Sequence, residues 1–535
     1  MSGFANRWWP FAAVALAYAI AAAWQITLPG IYMDAVNPDY MVVRMLNPKG
    51  EALTPWLLPG NYLSNRVPLL ISFYHGSQQV WLGAPFFWLF GTSVAGIRAT
   101  HAMFALFVLV ALYALLIRCR VKPWQAALAC AVLALDPGFS YAFRTQSYIT
   151  LAPAAWLFLS LYSLRRAALP DARVRAWLLA GGLFYGLAVV GYFIYAFMLP
   201  ALLFAFAAWR REANAPRSAW LYAGAGLAAG GMFYVVGYAL LIRFLGGIGN
   251  AWAYFQQTQK ALNAFSEQPD LAARIAHVVA SIESVFGNSY HHTLIFGEYG
   301  VSPGTGFRVA LLLGAPFLLW ARAEWRRDAP WLLRTLIAMI VSFVLVAALF
   351  GTRLSGHHYM VLLPLAYAAL AVGLIAQFGA LPAWRSATAT LVLPFAVLAA
   401  LNAGGQVKEA RKLAETRGVG LYSDAINRLA ADVDAAPKRP FVYFPDWGLL
   451  MPVAILTGGR VGVDSLENYA AARARLCSGG DVAVALITGN RDERFAAWQR
   501  SLAWDAPERK PYAQADGTVV FELGTFRGRR DGPGC

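Results

Sequence analysis

Charged residues are scarce in this chain. Asp, Glu, Lys and Arg make up 13% of its 535 residues, against about 25% in an average soluble domain. Hydrophobic residues fill 59% and the mean hydropathy is +0.50. That balance excludes soluble globular, disordered and fibrous classes and leaves an integral membrane protein. Cysteine is equally sparse, and four residues cannot build a disulfide framework. Cys119 and Cys130 fall at or inside apolar runs and read as plain apolar residues. The sequence has no HExxH, no CxxC, no Walker loop and no GxGxxG in a strand–helix setting, so ATP-driven and zinc-peptidase chemistry has nothing to stand on. Tandem repeats and low-complexity segments are also absent. Acidic residues are outnumbered 44 to 28, giving a net charge of +16. In a soluble protein that excess would suggest nucleic acid. Here its location decides otherwise.

What is abundant is apolar sequence in windows near the ~20 residues a membrane helix needs. Eleven windows are predicted to span: Pro10–Leu28, Val94–Ile117, Trp124–Leu135, Ile149–Leu164, Ala176–Val190, Ile194–Trp209, Ala219–Phe244, Phe307–Trp320, Trp331–Phe350, Tyr359–Phe378 and Ala387–Leu401. The run from Ala176 to Ala208 is too long for one helix and is divided near Gly191. The first run lacks a small-residue cleavage site and reads as a retained helix rather than a signal peptide. With the N-terminus inside, the cytoplasmic segments collect Arg7, Arg118, Arg120, Lys122, Arg165, Arg166, Arg173, Arg175, Arg210, Arg211, Arg217, Arg322, Arg326, Arg327, Arg334 and Arg385. The short outer loops hold only Arg144 and Arg353, with Arg98, Arg243 and Arg308 at outer helix ends. Loops retained in the cytoplasm are enriched in Lys and Arg, so this asymmetry sets the orientation and explains part of the +16 without nucleic acid. The expected location is the plasma (inner) membrane, multi-pass, with the C-terminal part extracytoplasmic.

Two outer loops, about 29–92 and 246–306, belong to a membrane module of residues 1–402. Residues 403–535 have a soluble composition, with strand-like runs Phe441–Phe444, Val482–Thr488 and Val519–Leu523 among helical ones, and read as a small α/β domain. Cys477 and Cys535 both lie in it, where an oxidising compartment permits a disulfide.

Candidate chemistry begins just after the first helix, in IYMDAVNPDYMVVRML. A helix ending near Leu28 would leave Asp34 and Asp39 at the outer headgroup layer, exposed, ionised at pH 7 and available to take a proton from an acceptor hydroxyl. The competing structural reading makes them caps or turn residues, as Asn37-Pro38-Asp39 suggests. His75 opens an aromatic-rich stretch with Trp81 and Trp88 as interfacial anchors. Arg144 is the lone cation of an outer turn, suited to a phosphate oxygen or to snorkelling. Asp136 before Pro137 reads as a helix stop. Arg353, His357 and His358 crowd one outer loop where an anionic ligand would enter. The adjacent His pairs, His291 with His292 and His357 with His358, do not meet the i, i+4 spacing of metal ligands on a helix. No cofactor is expected from these motifs, and a divalent metal stays open.

Together these segments resemble the integral-membrane glycosyltransferases of the GT-C superfold, in particular glycosyltransferase family 39 and the protein O-mannosyltransferase-like group. Met33-Asp34-Ala35 with Val43-Arg44-Met45-Leu46 is similar to the acidic motif after the first helix, with Ala35 where the family often has Glu and one extra residue between the two parts. His75-Gly76 stands where His-Pro is usual. SYAFRTQSYITLAPAAWLFL resembles the Arg-containing turn before the fourth helix, and HHYMVLLPLAYAAL the late (His/Arg)-Tyr-x-x-x-Leu-Pro signature. The resemblance implies an α-helical polytopic fold with a small extracytoplasmic domain and an inverting transfer. A sugar would pass from a polyprenyl-phosphate donor to a lipid, glycan or protein acceptor outside the cytoplasm. It implies Asp34, or else Asp39, as base, and His75, Arg144, Arg353, His357 and His358 toward the lipid phosphate and sugar. Two other readings compete: a lipid-linked sugar flippase or transporter, which should carry midspan carboxylates and inverted repeats, and a catalytically inactive scaffold.

Overall fold

The computed structural model describes residues 2–48, 50, 58–63, 66–169, 173–261, 269–299, 304–325, 330–378, 384–487, 489–532 and 535. Each of the eleven apolar windows falls on a helix. Among the described residues eight helices are long and apolar enough to cross a membrane, or nine if Pro123–Leu135 and Pro137–Arg144, bent by 70°, are one span. The first helix, Ser2–Ala23, and the last, Trp384–Thr416, flank this set. The chain is a multi-pass membrane protein. The division near Gly191 is observed, since helix Val174–Gly191 stops there and the chain restarts at Phe193. Arg326 and Arg327 of the basic inner set lie outside the described residues.

Small residues set the closest helix pairing. Helices Val174–Gly191 and Ala219–Phe244 meet through Gly182, Gly186, Gly226 and Gly230, and a Cβ on Gly182 would stand 2.0 Å from the Ala223 carbonyl oxygen. This small-xxx-small spacing lets backbones touch where lipid offers no hydrophobic drive to association.

The C-terminal part holds a five-stranded sheet in the order Val463–Asp464, Phe441–Tyr443, Val482–Leu486, Val519–Phe526, Glu508–Ala513. The first three strands are parallel and the last two antiparallel. Val482–Leu486 is buried on both faces, as a central strand should be. Its Val482, Val484 and Leu486 join Trp498 and Phe495 of helix Arg491–Leu502. Its Ala483 and Ala485 join the other face, and that face is shared with the segment after the first helix. Ile31, Met33, Val36, Tyr40 and Val42 lie in one apolar cluster with Ile426, Leu429, Val442 and Met451. Gly30 donates its N–H to the Tyr422 carbonyl at 2.7 Å, and a Cβ there would fall 1.9 Å from the Ser423 carbonyl oxygen, so only glycine permits the approach. Helix Trp384–Thr416 runs unbroken through residue 402 and links membrane to sheet. Cys477 and Cys535 are joined by a disulfide.

The first helix stops at Ala23 instead of continuing to Leu28. Two buried guanidinium groups explain why. Arg98 donates to the carbonyls of Ile26 at 2.9 Å, Pro29 at 2.5 Å and Gly30 at 3.4 Å. Arg144 donates to Trp24 and Leu28 at 2.6 Å, Gln25 at 2.8 Å and Ala22 at 3.5 Å. The orphan carbonyls of a helix C-terminus favour a cation, and here two cations draw them out of helical register. Tyr141 and Phe143 also lie 5.3 and 5.1 Å from the Arg144 guanidinium. Arg144 therefore sits at the base of the loop, bound to backbone. Replacing it with Ala strands several carbonyls, and hydrogen bonds to a charged group contribute roughly 1.5–3 kcal/mol. Arg144→Ala is expected to lower the thermal midpoint of the detergent-solubilised protein by several degrees. Arg144→Lys should recover little of the loss, because an ammonium lacks the fork. An unchanged midpoint for Arg144→Ala would show that the clasp carries no stability.

Candidate functional site

The clasp fixes the loop at the end of the first helix with its two carboxylates in opposite circumstances. Asp34 lies in a single 3₁₀ turn, Met33–Ala35, and is partly exposed, whereas Asp39 begins a second turn, Asp39–Met41, and is fully buried. The turn and helix start expected at Asn37-Pro38-Asp39 are both present, with helix Val42–Leu46 following directly.

Asp39 is tied down by His101 of helix Val94–Arg118, whose Nε2 stands 2.6 Å from its Oδ2. The imidazole is stacked on Tyr148 at 3.9 Å between ring centroids, and its Nδ1 faces the Phe143 carbonyl at 3.3 Å. A carboxylate so enclosed holds two helices and the loop together and offers no face to an acceptor.

Asp34 is different. Burial pushes its carboxyl up to about 6, partly offset by a hydrogen bond from the Tyr32 hydroxyl. The exposed, unperturbed carboxylate expected from sequence is thus a half-buried one poised near neutrality. Tyrosines surround it. Tyr32 leans on Tyr422 at 5.2 Å and is itself raised to about 12, by burial first and by the Asp34 charge second. Asp34 also interacts electrostatically with Tyr148, Tyr192, Tyr290 and Tyr422.

Tyr192 and Tyr290 lead from Asp34 to the histidines. His75 packs on Tyr192 at 5.2 Å, Tyr192 stacks on His358 at 5.5 Å and on His357 at 6.3 Å, and the two histidines lie 4.1 Å apart. Gln146 bridges the set, donating from Nε2 to the Tyr290 hydroxyl at 2.6 Å and to His357 Nδ1 at 3.0 Å. An accepting Nδ1 leaves the His357 proton on Nε2. Ser355 Oγ is also 2.8 Å from that Nδ1. His75 is buried with its ring hydrogen-bonded to the Gly191 carbonyl, and burial lowers it to about 4, so it is neutral at pH 7. Arg353, in the turn Gly351–Arg353 before these histidines, is exposed. Of the residues singled out by sequence, the structure brings His75, His357 and His358 into one stack. Asp34 interacts electrostatically with Tyr192 and Tyr290, which contact those histidines, and Asp39 and Arg144 are engaged in buried contacts of their own.

Several members of this site carried no role in the sequence reading: Tyr148, Tyr192, Gln146, His101 and Arg98. For Arg98 a signal existed. Arg98 lies near the N-terminus of helix Val94–Arg118, where a cation opposes the helix dipole, so it needs a partner elsewhere. Arg308, in the first turn of helix Thr305–Val309, has the same anomaly and the same kind of answer. It donates to Asp136 Oδ2 at 2.7 Å and to the Phe286 carbonyl at 2.8 Å, while Tyr367 donates to the same Oδ2 at 2.6 Å. Asp136 Oδ1 in turn accepts from Gly138 N at 2.8 Å, so Asp136 is the helix-terminal residue that sequence suggested. His291 and His292 do not pair on a common ligand: Nδ1 of one is 2.9 Å from Thr145 Oγ1, and Nδ1 of the other 2.8 Å from Glu409 Oε1. Among the described residues no group of three or more His, Cys, Asp or Glu is arranged to hold a metal ion.

Residues 77–239 match the family described as dolichyl-phosphate-mannose-protein mannosyltransferase. A comparison with curated proteins returns no match. Among solved structures, ArnT from Cupriavidus metallidurans in the apo state is similar with a TM-score of 0.54 at 11% identity, over 96% of this chain and 97% of that one. The same protein bound to undecaprenyl phosphate gives 0.51 at 13% identity, over 96% and 98%. The likeness runs through both the membrane helices and the C-terminal sheet. Residues 77–239 thus carry a pattern similar to the protein mannosyltransferases, and the chain as a whole is a multi-pass membrane protein with an ArnT-like fold.

Proposed function

We propose that the protein transfers a sugar from a polyprenyl-phosphate carrier to a lipid, glycan or protein acceptor on the extracytoplasmic side of the membrane, with inversion at the anomeric carbon. The observation that carries this reading is Asp34, a partly accessible carboxylate raised to about 6 and ringed by tyrosines. At pH 7 it is mostly ionised, yet basic enough to take a proton as the acceptor oxygen attacks. The bond from the anomeric carbon to the carrier phosphate breaks as the new glycosidic bond forms, and the phosphate leaves as an anion. Arg353, with the Nε2 proton of His357 and with His358, meets that developing charge, while His75 and Tyr192 support the stack. Arg144 acts through the loop it holds. The undecaprenyl phosphate seen in the similar ArnT structure is the kind of carrier this reading calls for. The N-terminus and the basic helix ends are placed in the cytoplasm, the C-terminal sheet outside.

Three measurements test this. Asp34→Asn is expected to abolish transfer of label from a defined polyprenyl-phosphate sugar while leaving the thermal midpoint unchanged. Asp39→Asn should instead lower the midpoint, since disturbing a buried hydrogen bond costs roughly 1–3 kcal/mol, with residual activity tracking the folded fraction. The reverse pattern would make Asp39 the base. In wild type, kcat/KM should rise with pH through about 6, because the raised carboxyl must lose its proton to act as base. A limb near pH 4 would mean that Asp34 is unperturbed or not the base. Finally, a cysteine at the exposed Ala515 should react with a membrane-impermeant thiol reagent in intact cells. Labelling only after lysis would reverse the orientation.

A further inference from the structure

At the opposite end of the helices from the acid loop, four arginines from separate places in the sequence line one cavity of about 590 Å³. Arg7 comes from the first helix, Arg118 from the last turn of helix Val94–Arg118, Arg120 from the turn after it and Arg165 from the last turn of helix Leu151–Ala167. The rest of the lining is apolar, including Ile117, Val121 and Leu169, and no acidic side chain lines it among the described residues.

Ordinary enrichment of basic residues at a cytoplasmic face does not produce this. Arg211 and Arg217, on the same side, are exposed to solvent, as that enrichment alone requires. Here Arg118 and Arg165 are instead half-buried and line one cavity with the exposed Arg7 and Arg120. The charges of Arg118 and Arg165 both act on the Cys119 thiol. The Tyr113 hydroxyl donates to the Arg7 carbonyl and fixes the first helix against helix Val94–Arg118. Arg120 adopts φ +66°, a left-handed conformation that glycine or asparagine would take at less cost. A branchless turn residue would serve the backbone better, so its side chain is the reason for its presence. A cavity lined by guanidinium-bearing and apolar side chains together suits an anion whose remainder is apolar. The cavity also lies at the helix ends, at the depth of phosphate headgroups.

We infer that this cavity is a binding site for the phosphate of an anionic phospholipid, whose headgroup docks among Arg7, Arg118, Arg120 and Arg165 on the cytoplasmic side and clamps the inner ends of three helices. The site is independent of the transfer reaction and of its lipid carrier on the other side.

The full-length protein in nanodiscs of phosphatidylcholine doped with phosphatidylglycerol provides the test, with retained lipid read by native mass spectrometry and stability by the thermal midpoint. Wild type should retain phosphatidylglycerol and gain stability from it. Arg118→Gln/Arg165→Gln should bind it at least tenfold more weakly, while Arg211→Gln/Arg217→Gln, which removes equal charge from the same face outside the cavity, should stay within twofold of wild type. If the first double variant fails to fold, Arg120→Gln alone, altered on an exposed turn, should still weaken binding severalfold. Equal retention by wild type and both double variants would overturn the site. So would retention of phosphatidylcholine as strongly as phosphatidylglycerol. Stabilisation by inorganic phosphate at the same concentration would overturn the lipid assignment in favour of a soluble anion.

Discussion

Two cations with no carboxylate partner among the described residues decide where the loop after the first helix lies. Arg98 and Arg144 are buried, and their charge is met by backbone dipoles from residues 22 to 30. Carbonyls are weaker counter-charges than carboxylates but are rigidly placed, so the geometry of the segment becomes a condition for solvating the arginines. The consequence runs outward. The helix ends at Ala23, the chain turns under two guanidinium planes, and Gly30 arrives against Tyr422 and Ser423. Only from that position do Met33 and Val36 reach the apolar cluster of the C-terminal sheet and leave Asp34 on its open side.

The two carboxylates of the loop illustrate how enclosure divides roles. Five residues apart, they differ because one finds a buried imidazole within 2.6 Å and the other finds only phenols and a partly open surface. An enclosed, hydrogen-bonded pair is a good fastener and offers little surface to a substrate. A desolvated carboxylate with a single phenol donor keeps its basicity available. The tyrosines add a second property: aromatic faces with polar tips that accommodate a sugar's apolar ring faces and its hydroxyls together.

Sequence carried the membrane helices well because apolar windows are local signals, and even the break near Gly191 was legible from length alone. The strands of the C-terminal sheet were legible for the same reason, at Phe441, Val482 and Val519. The loop's importance was legible through its resemblance to a known acidic motif. Its electrostatics were not. The burial that raises Asp34 depends on residues near 422, and the pairing of Asp39 depends on His101, 62 positions away. Arg144 was the clearest difference in surroundings: a side chain can be read from sequence, but a cluster of carbonyls turned toward it has no letter. Gln146 and Tyr192 escaped notice because each is an ordinary residue until distant segments meet.

The cluster shared by the acid loop and the C-terminal sheet also imposes an order in time. The loop emerges after the first helix, but the residues that cover it, Ile426, Leu429, Val442 and Met451, emerge some four hundred residues later. Contacts of such separation form only when the late segment exists. During synthesis the membrane helices therefore insert with Asp34 in a solvated, unsupported loop, whose carboxyl has the acidity of an ordinary aspartate. The raised carboxyl that the proposed transfer uses is acquired only on completion of the sheet, so a nascent or truncated chain in the membrane holds Asp34 and the histidines of the proposed site without that tuning.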